Sequence, residues 1–98
     1  MSDSSAREQR TVRWIIEGRV QRVAFRAFTQ RTARELGVVG AVKNLPDGTV
    51  EALVRGTPEA LATLRAQVDR GPRLARVDRV TESPAVLPED HRTFEIVR

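Results

Sequence analysis

The chain has 98 residues, enough for one hydrophobic core and too few for two. It has no cysteine and a single histidine, His91, which excludes disulfides, thiolate metal sites, a cysteine nucleophile and any histidine-built triad or metal cluster. The net charge of +4, from 16 arginines and one lysine (Lys43) against 13 acids, draws anions without choosing among nucleic acid, acidic lipid and small phosphates.

Residues 1–9 are rich in serine and charge and read as a disordered leader, with the folded domain expected over 10–98. No apolar run approaches the length of a membrane span, and the N-terminal residues carry no signal-like apolar stretch. A cytoplasmic location is the default expectation, with no membrane partner.

TVRWIIE alternates Val12, Trp14 and Ile16 on one side and reads as a strand, followed by the basic loop GRVQRVAFR at 18–26. From Phe25 the spacing of Phe25, Phe28, Thr32, Ala33 and Leu36 predicts a helix, with Gly37 as its C-cap. VVGAVKN is a second strand, NLPDG a tight turn with Gly48 at a left-handed position, and TVEALVR a third strand. Thr57-Pro58-Glu59 opens a second helix, with Leu61, Leu64 and Val68 on its inner face and its end before Gly71-Pro72. LARVDRVTE is a fourth strand, 83–91 a loop with an exposed His91, and RTFEIVR a short closing strand. Trp14, Phe25, Phe28 and Phe94 are assigned to the core.

The order β-α-β-β-α-β plus a short strand predicts an α+β ferredoxin-like sandwich, an antiparallel sheet with two helices on one face. In that topology the first and second strands run parallel with the third between them. At about 4.8 Å per strand step, their ends lie roughly 10 Å apart. The loop 18–26 and Asn44 are thereby expected to face a common spot.

That loop runs into a helix N-terminus, where unpaired N–H groups and the positive end of the helix dipole favour an anion. Arg26 adds a guanidinium whose fork matches phosphate oxygens, and a cation in a helix's first turn is unfavourable without a compensating anion. Asn44 can both donate and accept, as holding a water in line with phosphorus requires; taken alone it reads as a turn-former before Leu45-Pro46, and Arg26 on the same edge favours the functional role. No general acid or nucleophile is evident nearby. A carboxylate leaving group, whose parent acid has a pKa of about 4, needs no proton, so an acyl phosphate could be hydrolysed here by positioning and electrostatics.

GRVQRVAFR, AFTQRTARELGVVG, KNLPDGTVEALVRG and GPRLARVDRV together resemble the acylphosphatase family over residues 10–98. The family loop reads G-x-V-Q-G-V-x-F-R, and its catalytic arginine and asparagine fall on Arg26 and Asn44. The resemblance implies hydrolysis of acyl phosphates to a carboxylate and inorganic phosphate, without metal or cofactor. Phosphate would be held by Arg26 and the backbone of Gln21, Arg22, Val23, Ala24 and Phe25, and the attacking water by Asn44. This chain departs from the family at Arg22 and Ala24, where glycine is usual, and at Ala41, where the family commonly places tryptophan. Glycine in such a loop serves positive φ or close backbone approach.

Two other readings stand beside this one. A non-catalytic anion-binding module on the same fold is suggested by Arg22. A nucleic-acid binder would suit the charge and strand order, but strand three lacks the stacking aromatics such domains present, and nucleic acid is not expected as a partner. The simplest oligomeric expectation is a monomer.

Overall fold

A computed structural model describes residues 8–98, so most of the expected leader lies outside the described residues. The elements are β1 (Arg10–Arg19), α1 (Phe25–Leu36), β2 (Val39–Asn44), β3 (Val50–Gly56), α2 (Pro58–Arg70), β4 (Arg76–Pro84) and β5 (Phe94–Val97). The strands form one sheet in the order β4-β1-β3-β2-β5. β1 and β2 each run antiparallel to β3 between them, with Ile16 opposite Val50 and Asn44 opposite Val50 from the other side. The ends of β1 and β2 therefore lie at the same end of the sheet.

Strand alternation explains the layers. Trp14 and Ile16 of β1, Val42 of β2, and Val50, Ala52 and Val54 of β3 are buried and share one core with Phe25 and Ala33 of α1 and Leu61, Leu64 and Val68 of α2. Both helices thus cover one face of the sheet. Each large apolar side chain taken from water contributes roughly 1.5–3 kcal/mol, so this single layer of contacts carries most of the fold's stabilisation. The helix boundaries follow local chemistry. Thr57 accepts a hydrogen bond from Ala60 N at 3.1 Å, Pro58 occupies the first turn, and Gly37, at φ 74°, ends α1 by donating to Ala33 O and Arg34 O.

Four features differ from the sequence expectation. β5 pairs parallel to β2, which makes the sheet mixed rather than wholly antiparallel. The cause is topological: β4 and β5 occupy opposite edges, so residues 85–93 must cross the sheet end, and β5 arrives in β2's direction. Arg55 holds that crossing by donating to the carbonyls of Pro88 at 3.1 Å and His91 at 2.6 Å. His91 is accordingly half-buried, its Nε2 3.0 Å from Gly40 O. On α1 the buried residues are Phe25, Thr29 and Ala33, with Phe28, Thr32 and Leu36 half-buried at the margin. Thr29 is tolerated inside because its hydroxyl donates to Phe25 O at 2.9 Å within its own helix. Finally, β4 starts at Arg76 and runs to Pro84, leaving Leu74 70% exposed outside it.

Candidate anion-binding active site

The loop between β1 and α1 is anchored from within. Val20, Val23 and Phe25 are buried in the core, while Arg19, Arg22 and Ala24 are exposed, so the apolar residues of GRVQRVAFR fix the loop and leave these three facing out. Gly18 serves a different purpose. The β1–β4 register shifts between Glu17 and Gly18, Gly18 has φ 134°, and a Cβ there would overlap the carbonyl oxygen of Arg76. The first glycine of the motif thus permits strand approach at a bulge.

Arg22 and Ala24 have φ 64° and 63°, the only non-glycine residues with positive φ among those described. These are the two positions where the sequence departs from the glycine-bearing loop pattern. The loop keeps its left-handed shape despite the side chains, at a cost of roughly 1–2 kcal/mol per residue. Gln21 braces the loop from the other side: its Nε2 donates to Leu45 O and Thr49 O, both at 2.8 Å. One amide thereby ties the loop to the turn that immediately follows Asn44.

Ala24 is the N-cap of α1 and offers no side-chain hydrogen bond to the helix, whose first turn contains no acid and does contain Arg26. The start of α2, capped by Thr57 with Glu59 in the first turn, shows what a self-satisfied N-terminus looks like in this chain. The unfilled donors of α1 open on a cavity of about 240 Å³, whose lining includes Arg22, Ala24, Arg26, Asn44, Ile96 and Arg98. No Asp, Glu, His or Cys side chain lines it. Asn44 Oδ1 is shut off from solvent and meets no donor among the described residues. An orphan acceptor of this kind costs about 1–3 kcal/mol unless something donates to it.

The fold therefore brings Arg22, Ala24, Phe25, Arg26 and Asn44 around one space, while Val23 packs inward and Gln21's side chain acts as a brace. Arg98 and Ile96 were missed by the sequence reading. They reach the cavity because β5 docks beside β2, where Arg26 Nη1 also donates to Val97 O at 3.4 Å. No local pattern signals that parallel pairing. A larger cavity, about 340 Å³, lies at the opposite end of the sheet beside Arg55 and His91. Arg55 is engaged there by loop carbonyls, so this end has the character of a structural clamp.

Fold and site together define a ferredoxin-like sandwich with an arginine-lined cavity at the β1–α1 loop. The acylphosphatase family model matches residues 12–96, and the chain belongs to the acylphosphatase family. It is 53% identical over 78 residues to an acylphosphatase of Nitrosococcus oceani, covering 80% of this chain and 88% of that one. An acylphosphatase of Thermococcus kodakarensis is 51% identical over 82 residues, 84% of this chain and 89% of that one. The crystal structure of acylphosphatase from Bacillus subtilis superposes with a TM-score of 0.85 at 35% identity, covering 93% of this chain and all of that one.

Proposed function

We propose that this protein hydrolyses the carboxyl–phosphate bond of acyl phosphates, releasing a carboxylate and inorganic phosphate. The observation that carries the reading is the meeting of Arg26, the uncapped start of α1 and Asn44 around one cavity that no Asp or Glu side chain lines. The phosphoryl oxygens are held by the backbone N–H groups of residues 21–25 and by the Arg26 guanidinium, which together meet the charge that spreads over them in the transition state. The Asn44 side-chain amide hydrogen-bonds the attacking water and aims its lone pair at phosphorus on the side opposite the leaving oxygen. The P–O bond to the acyl group breaks as the water–phosphorus bond forms. The carboxylate leaves with the electron pair, and the water's proton passes to solvent or to the product phosphate.

No general acid is needed, because the leaving carboxylate is the conjugate base of an acid with pKa about 4. Guanidinium and amide donors supply the positive charge, in keeping with a metal-independent reaction. A cytoplasmic, monomeric enzyme is the setting that best fits this reading. Recombinant protein assayed on benzoyl phosphate with EDTA present is expected to turn over, and Arg26→Gln and Asn44→Ala to lose most of that activity. Full activity in either variant would remove that residue from the mechanism.

The left-handed Arg22 favours one competing reading, a phosphate-binding module that does not turn over. Its signature is a wild-type protein inert in the same assay whose melting temperature rises with inorganic phosphate. A nucleic-acid role gains no support from the aromatics. Trp14, Phe25 and Phe94 are each 1% exposed, the half-buried Phe28 lies on α1 and not on the sheet, and Trp14 Nε1 donates to Glu82 at 2.8 Å.

A further inference from the structure

Three guanidinium-bearing residues, Arg22, Arg26 and Arg98, line the cavity, and no Asp or Glu side chain accompanies them. Among the described residues the ion pairs fall on Arg13, Lys43, Arg65 and Arg76, and on none of these three. Arg26 is partly held by Val97 O, whereas no hydrogen bond to a described residue engages the Arg22 side chain. A bound acyl phosphate group brings about two negative charges near pH 7, and the loop amides with Arg26 already answer them. The cations left over have no internal partner.

Arg22 also sits at a backbone conformation that glycine would adopt without strain. The arginine therefore weakens the loop while adding a charge at the cavity's edge. The buried Val20 and Val23 on either side fix its backbone at the cavity's edge.

We infer that Arg22 is a specificity-determining residue that contacts the acyl portion of the substrate and selects acyl phosphates whose acyl group carries its own negative charge. This rests on the acyl phosphate hydrolysis proposed above and adds the class of acyl group. Arg22 is exposed, so the attraction is screened by salt and is a matter of binding more than of the chemical step.

The test compares three substrates that share one ring: benzoyl phosphate, 4-carboxybenzoyl phosphate and its neutral isostere 4-carbamoylbenzoyl phosphate. Wild-type enzyme at low salt is expected to favour the carboxylate over the carbamoyl substrate by about five- to tenfold in kcat/KM, a size typical of a partly screened charge-assisted contact, with the difference carried by KM. That preference should shrink to near unity in Arg22→Gly and Arg22→Gln, persist in part in Arg22→Lys, and fall in 0.5 M salt. Because the readout is a ratio between substrates, general loss of activity in a variant cancels. A preference that survives Arg22→Gly and Arg22→Gln, or no preference in wild type while benzoyl phosphate is turned over, overturns the inference and leaves the hydrolase reading intact. Failure to turn over any of the three overturns both.

Discussion

Asn44 carries a buried side-chain oxygen that finds no donor among the described residues, while the residue itself lines the cavity where the attack on phosphorus is proposed to begin. Three residues further on, Asp47 shows the opposite condition. Its carboxylate accepts from Thr49 Oγ1 at 2.7 Å and Thr49 N at 3.0 Å, and these bonds, the hydroxyl's first, hold its pKa below the ordinary 3.8. A lowered folded-state pKa means stability that is present above the unfolded value and is lost as pH falls through the folded one. Asp47→Ala is accordingly expected to lower the melting temperature at pH 7, with the gap to wild type closing as pH falls below about 4. Parallel thermal melts across that range check it, and a gap independent of pH would assign the loss to turn geometry instead of charge. At this scale the turn was legible from the local chemistry of Pro46, Asp47 and Gly48, and Arg26 and Asn44 line one cavity as the strand order led one to expect. The sequence did not reveal that Gln21 reaches Leu45 and Thr49, since that bond depends on where the loop lies in space.

The two helices start in contrasting ways, and the contrast can be measured. Thr57 closes the N-terminus of α2 with its own hydroxyl, so Thr57→Ala should destabilise the protein by about 1 kcal/mol. Ala24 opens α1 at φ 63° with no side-chain cap, so Ala24→Gly should stabilise by about 1 kcal/mol through relief of the left-handed conformation. For a domain of this size, each change moves the melting temperature by roughly 4–8 °C, in opposite directions. A fall in melting temperature for Ala24→Gly would show that the loop gains from alanine something other than the strain it bears. Element identities were readable because hydrophobic period and cap residues speak for them. The burial of Thr29 in place of Thr32, and the displaced start of β4, escaped because the inner face of α1 follows the i, i+4, i+8 row of Phe25, Thr29 and Ala33, on which the polar Thr29 gives no apolar signal, and because strand ends are set by the neighbour's register.

At the scale of the molecule, the sheet order places Asn44 and the β1–α1 loop together although 18 residues separate Asn44 from Arg26 in sequence. The βαββαβ order was enough to foresee this meeting. It was not enough to foresee β5, which joins β2 in parallel, brings Ile96 and Arg98 to the cavity and sets a backbone carbonyl beside Arg26. That pairing follows from the 85–93 crossing and its clamp by Arg55, contacts between residues more than 30 positions apart. The account makes the site a division of labour between two elements, with Arg26 on α1 gripping phosphate and Asn44 on β2 aiming water. The direct test measures both functions in the same variants, with inorganic phosphate binding by calorimetry and benzoyl phosphate turnover in EDTA. Asn44→Ala is predicted to bind phosphate within about threefold of wild type while losing roughly 100-fold or more in turnover, and Arg26→Gln to lose both. Asn44→Ala with undiminished turnover, or Arg26→Gln with undiminished phosphate affinity, would contradict it.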